Sequence, residues 1–429
     1  SSVAHALAAW ATELNPSEED LALARRSLLD TAAVMVAARD DPVAPQFSRL
    51  SEAGCWAALA HVLDYDDLHM PSTTHISAVC APVALAASRA GGPDPARGGP
   101  DPAPGGPDPA RGGPDPARAY LAGAGVMARL GTALGWRHYR AGWHATCTAG
   151  APAAAVTAAT ARGLDATRTA IAIALAIPAA GGVQRAFGTA AKALQVGFAA
   201  EAGMRAAALA EAGASADIGA VEDWMTLVGG DPGALAETAR LGGLDATSAV
   251  PDGLAIKLYP CCYALQRPIS AAVELYPVAV DRVRRVTVRT PACALAPLIH
   301  SRPGTGLEGK FSLEYGIAAA LLDGRPGIES FRDEAVARPE AIRLTEMVEV
   351  VPGEGGDHLL AGTMDLEIGL DDGTDMRAEL ATPPGAPDRP PTDEELRAKL
   401  ELCAGSEADR LAALTWDTAA AYLRSRLAD

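Results

Sequence analysis

The stretch HVLDYDDLHMPSTTHIS, residues 61–77, gathers Asp64, Asp66, Asp67, His69 and His75 at the end of a helical pattern. Carboxylates and imidazoles at that density can hold a divalent cation, exchange protons with a bound molecule, or solvate a helix terminus. Their spacing matches no standard ligand pattern, so no metal is expected and a substrate-side cluster is the favoured reading. Further along, AGWHATCTAGAP sets His144 just ahead of a small-residue helix start. Free backbone N–H groups and the helix dipole favour a carboxylate there, although a lone histidine in that place can equally be structural. FGTAAKALQVG places Lys192 at a Gly- and Ala-lined helix start, and AIKLYPCCYALQRP places Lys257 two residues before Tyr259-Pro260. For the vicinal thiols Cys261-Cys262, packing is the plain reading, as it is for Tyr315, one helical turn from Phe311 in GKFSLEYGIAAALLDG.

The lysines are informative by their scarcity. Of 36 basic residues only Lys192, Lys257, Lys310 and Lys399 are lysine. Arginine fills the remaining basic positions, so a lysine that persists is a candidate for a task a planar, permanently charged guanidinium cannot do. The net charge of −17 argues against nucleic acid as a partner, since phosphate binding needs a basic surface. An anionic substrate would then need a locally positive hollow in a globally negative protein.

The elements that must position these groups are mostly helical. Hydrophobic residues make up 49% of the chain but aromatics only 4%, so alanine carries much of the interior and favours closely packed helices. Apolar residues recur at three- and four-residue spacings in LALARRSLLDTAAVMVAARD, SEAGCWAALAHVLDYDD, HISAVCAPVALAASRA and AKALQVGFAAEAGMRAAALAEAG. Four tandem GGPDPAR-like units at 91–118 lack an apolar seam and read as a surface loop. From about residue 249, DRVRRVTVRT, RLTEMVEVV and TMDLEIGL alternate with the period of a strand, and Asp372-Gly373 signals a hairpin. Thr392 and Glu395 form a capping pattern opening the last helices. The expected architecture is mainly α with an α+β insertion. It comprises a helical domain over 1–248, an α+β lid over 249–385, and helices over 386–429 that return to the first domain.

Seven scattered cysteines without a CxxC pair suggest reduced thiols. The N-terminal stretch does not have the pattern of a signal peptide, and AIAIALAIPAAGGV (170–183), broken by Pro178, reads as a core helix rather than a membrane span. A cytoplasmic chain with no membrane partner is therefore expected.

The order DYDDLH…THIS, GWHATCTAG, AFGTAAKALQVGFAAEAG, IKLYPCCYALQ and KFSLEYGIAAAL resembles the MmgE/PrpD family from about residue 5 to 425, outside the GGPDPAR insertion. That family includes 2-methylcitrate dehydratase, cis-aconitate decarboxylase and iminodisuccinate epimerase. The resemblance implies a helical domain with an α+β lid, a homodimer, no cofactor, and a small di- or tricarboxylate as substrate. By motif it implies Asp64, His75, His144, Lys192 and Tyr315 as catalytic, with Lys192, Lys257, His75 and Cys262 against the substrate. His144 would act as base or acid, with Tyr315 or Asp64 completing the proton relay. Lys192 and Lys257 would serve as cations and His75 as a donor to an enediolate-like intermediate. Leu68 stands where a threonine is common, Ile76 where proline is, Gln195 near a frequent histidine, and Cys262 where some decarboxylases have histidine. These departures imply a pocket that contacts its substrate differently. Dehydration of a citrate-like acid is the first expectation, then epimerisation or decarboxylation of a related dicarboxylate, then a non-catalytic homologue.

Overall fold

The computed structural model describes residues 2–88, 115–240 and 248–427. At its centre lies the helix Ala145–Ala161, in which every residue except Thr160 is buried. A helix that is apolar on all sides has to be surrounded. Ile76–Ala87, Pro116–Arg140, Ala166–Ala176 and Ala191–Glu211 pack around it. Small side chains permit the approach: a methyl group on Gly203 would lie 2.2 Å from the Ala154 Cβ, and one on Gly123 would lie 1.7 Å from the Thr157 hydroxyl. The helices Glu18–Ala38, Asp393–Ala404 and Trp416–Leu427 close the bundle, with Leu28, Leu400, Cys403 and Leu423 in one apolar core.

A second core is built on a four-stranded sheet. Its strands are β1 (Val283–Pro291), β2 (Val348–Gly353), β3 (Met364–Leu370) and β4 (Asp375–Leu380), in the order β2-β1-β3-β4. β1 and β2 run parallel, and the β1–β3 and β3–β4 pairs are antiparallel. Val286, Val288, Leu366 and Ile368 share that core with Ile269 and Ile317 from the helices Gln266–Leu275 and Leu313–Asp323. The hairpin between β3 and β4 turns at Gly373, whose φ of 83° suits glycine. The protein is thus mainly helical, with a large helical body and a smaller α+β unit.

Two local expectations are corrected. RLTEMVEVV does not run as a strand from Arg343: Pro339–Met347 is helical and β2 begins only at Val348. Proline in the first turn presets the backbone for a helix, and burying Ala341 and Leu344 on one face outweighs the alternation seen in sequence. The GGPDPAR units lie outside the described residues up to 114, but the last one does not end in a loop. Asp115 accepts from the Arg118 N–H as an N-cap, and Pro116 opens the helix Pro116–Arg140. All seven cysteines are free. Among the described residues, no helix is long and apolar enough to cross a membrane.

Candidate active site

The acidic cluster is buried. Asp64, Asp66, Asp67, His69 and His75 all lie in the interior, which rules out a solvated helix terminus. Asp64 takes the left-handed backbone conformation, φ 54°, which a non-glycine residue adopts only where its surroundings impose it. Here two lysines surround it. Lys192 Nζ lies 2.7 Å from Asp64 Oδ2, and Lys257 Nζ lies 2.7 Å from Oδ1 and 2.9 Å from the Asp64 carbonyl. Lys310 donates to the carbonyls of Leu63 (2.6 Å) and Pro260 (2.8 Å). Lys399 donates to those of Tyr65 (2.7 Å) and Lys257 (2.9 Å), and pairs with Asp30 at 2.7 Å. Every lysine in the chain is therefore buried and bound to three consecutive residues, 63–65.

Burial pushes the Asp64 carboxyl up, but Lys192 and Lys257 overcome it and hold the group well below the usual carboxylate range. Burial likewise works against the charge on Lys257, and the Asp64 and Asp66 carboxylates outweigh it and raise the ammonium. Burial carries Lys310 down to about 8. Asp64→Asn would leave two buried ammoniums facing a neutral amide. It is expected to cost about 3–5 kcal/mol of stability, read by denaturant unfolding. A second change, Lys257→Met, should recover part of that loss.

His75 and His144 are the N-cap residues of two helices, Ile76–Ala87 and Ala145–Ala161. Neither side chain caps its own helix, and Thr146 accepts from the His75 backbone N–H at 3.0 Å, tying the two ends together. Both imidazoles line a small pocket with Asp64, Lys192 and Cys262. Leu68, Phe187, Phe311 and Leu359 form much of its remaining wall.

Hydrogen-bond partners fix the two tautomers. His75 Nδ1 lies 2.8 Å from the Asp67 carbonyl, so Nδ1 carries the proton and Nε2 has the free lone pair. For His144 the order is reversed. The Val183 N–H donates to Gln195 Oε1 at 3.1 Å, which turns the Gln195 amide nitrogen toward His144 Nδ1, 2.7 Å away. Nδ1 of His144 therefore accepts and Nε2 bears the hydrogen. Burial holds both imidazoles well below the ordinary histidine value, aided by Lys192 and Lys257 at His75 and by His61 and Lys192 at His144.

Not every expected residue reaches the pocket. Tyr315 is buried in the second core, where its hydroxyl donates to the Ser330 carbonyl and its ring packs on Phe331 at 5.9 Å. A hydroxyl already engaged there completes no relay with the imidazoles, and the sequence spacing from Phe311 marked a core aromatic. Lys257 is fully buried behind Asp64 and is not a lining residue, so it reaches the pocket only through that carboxylate. His69 is held by Ser72 (2.7 Å) and the Pro251 carbonyl (2.7 Å), a structural role. Asp67 accepts from the backbone and hydroxyl of Ser77.

His61 stands behind the two pocket imidazoles without lining the pocket, and motif spacing did not single it out. Its Nδ1 lies 2.7 Å from Asp66 Oδ2, and its ring stands 4.7 Å from His75 and 5.4 Å from His144. It sits in the last turn of Glu52–Val62, one turn before the acidic run, which was the available signal. Among the described residues, His61, Asp66 and His75 are the group able to hold a metal ion. Their atoms are already joined, with His75 Nδ1 3.3 Å from the same Asp66 oxygen. The lysines that disfavour protonation of His61 would oppose a dication in the same way.

Residues 46–226 match the MmgE/PrpD N-terminal domain and residues 259–418 the MmgE/PrpD C-terminal domain. Two cis-aconitate decarboxylases from Aspergillus terreus are each 26% identical to this chain over 382 residues, covering 82% of it and 74% of the relative. With both domains matched in order over most of its length, the chain belongs to the MmgE/PrpD family.

Proposed function

We propose that the protein is a lyase that removes a proton beside a carboxylate of a small polycarboxylic acid and expels a β-hydroxyl as water. The observation that carries this reading is the pair of opposite tautomers, His75 with a free Nε2 and His144 with an Nε2–H, on one pocket beside Lys192. Lys192 and the two helix N-termini bind the substrate carboxylate. His75 Nε2 takes the α-proton, and the C–H electrons enter the carboxylate to give an enediolate. Lys192 and the neutral His144 Nε2–H stabilise that charge, with Asp64 fixing the ammonium in place. The electrons then return to form the double bond. The leaving hydroxyl takes the proton from His75 and departs as water, which restores the base.

The two relatives favour decarboxylation as the second reading. The C–C bond electrons of a departing carboxylate would enter the same stabilised system as carbon dioxide leaves. A proton then returns from solvent to the carbon. Incubating the enzyme with hydroxylated and unsaturated di- and tricarboxylates in deuterated water, read by NMR and mass, separates the outcomes. Loss of water, with solvent deuterium entering the α-carbon of recovered substrate as abstraction reverses, is the expected result, and loss of carbon dioxide with deuterium in the product selects the second reading. Absence of deuterium uptake and of turnover with every acid would sink both.

Gln195→Leu removes the donor that fixes His144 and frees the ring to adopt the other tautomer. The expected effect is a fall in kcat of roughly tenfold or more with little change in KM, since the loss falls on the enediolate.

A further inference from the structure

The pocket is poor in cations for a polycarboxylate site. Lys192 is the one cationic side chain among its described lining residues, and Asp64 already shares its charge. The chain is rich in arginine, yet none of the described lining residues is arginine, the side chain best shaped to bind a carboxylate by two parallel hydrogen bonds. The other polar groups are neutral donors or acceptors: Thr73, the two imidazoles, the Tyr139 and Tyr263 hydroxyls, and the Cys262 thiol, which burial pushes up to about 11. Facing them is an apolar wall. Leu68, Phe187, Phe311 and Leu359 are all buried, and the Phe187 and Phe311 rings stack at 5.0 Å with Lys192 Nζ about 5 Å from each.

From this division we infer that the substrate is an acid with one or two carboxylates and an apolar substituent, not a tricarboxylate. The inference rests on the lyase reading above. One carboxylate meets Lys192 and the helix N-termini of residues 76 and 145. An alkyl or alkenyl arm packs between Leu68, Leu359 and the phenylalanine pair. A third carboxylate on that side would lose its water and gain no counter-charge, which weakens binding steeply.

The test is a series of saturated acids on related skeletons: propane-1,2,3-tricarboxylate, ethylsuccinate and 3-methylbutyrate. For each, the rate of solvent-deuterium entry at the α-carbon and the dissociation constant are measured with the wild-type enzyme. Ethylsuccinate or 3-methylbutyrate is expected to exceed the tricarboxylate roughly a hundredfold in exchange rate over dissociation constant. A tricarboxylate that exchanges as well or better overturns the inference and leaves the lyase reading standing. If no acid exchanges and none binds, the lyase reading fails and takes the inference with it. Leu359→Arg adds a guanidinium to the apolar wall and should narrow the gap at least tenfold by improving the tricarboxylate. No change in the ratio in a folded variant would count against the wall as the discriminating element.

Discussion

His75→Gln is expected to lower kcat/KM by about three orders of magnitude and to abolish deuterium entry at carbon, because a positioned base contributes about 10²–10⁴-fold. The amide can still donate to the Asp67 carbonyl, so the substitution keeps the contact that orients the side chain and removes only the basic nitrogen. His144→Gln should behave differently. Its amide N–H can still donate to the enediolate, so the loss is expected to be nearer tenfold to a hundredfold, with exchange slowed but measurable. The comparison distinguishes base from electrophile. Equal losses in the two variants, or deuterium exchange surviving in His75→Gln, would exchange or cancel the assigned roles.

Acid should unfold this protein far above the pH at which carboxylates titrate. Burial holds His61, His69, His75, His138 and His144 below the ordinary histidine value, so each stays neutral in the fold while the unfolded chain takes up a proton below about pH 6.5. The sign is fixed by that difference: the unfolded state binds more protons, and stability falls as pH falls. Asp30 and Asp67, raised by burial, the latter to about 7, work in the opposite direction because the folded state protonates first. Five buried histidines outnumber the carboxyls that burial raises, Asp30, Asp67 and Glu314, so unfolding takes up protons on balance and stability falls from pH 6 to 5. A whole domain is stable by only about 5–15 kcal/mol. Chemical denaturation at pH 7, 6 and 5 measures the slope. A stability that stays level over that range would mean the buried imidazoles are charged in the fold, and the tautomer assignment would fall with it.

Much of this was legible before any coordinate. Alanine and glycine at helical spacing announced a tight bundle, and the alternation at 283–290 and 364–370 announced strands. Asp64, His75, His144, Lys192 and Cys262 were read from motifs and meet in one pocket. The rarity of lysine pointed at four residues that all converge on 63–65, including Lys310 and Lys399, which no motif distinguished. What sequence could not reveal was who faces whom. The tautomers of His75 and His144 depend on a carbonyl at 67 and an amide at 195, partners chosen by the fold. Gln195 reads as a lost histidine in sequence; in space it is the donor that sets a neighbour's protonation. Tyr315 shows the converse, since a motif position need not turn its side chain toward the chemistry.

Lys399 belongs to the helix Asp393–Ala404 and Lys310 follows the short turn Gly306–Gly309, yet both bind the same stretch, 63–65, as Lys192 and Lys257. Segments more than 300 residues apart in the chain are thus fastened by the bonds that also shape Asp64. Fraying of the C-terminal helices would release Tyr65 before the central bundle melts. During gradual denaturation, the midpoint for inactivation should therefore precede the midpoint for loss of helical circular dichroism, so that catalytic competence reports on the terminal segment's docking.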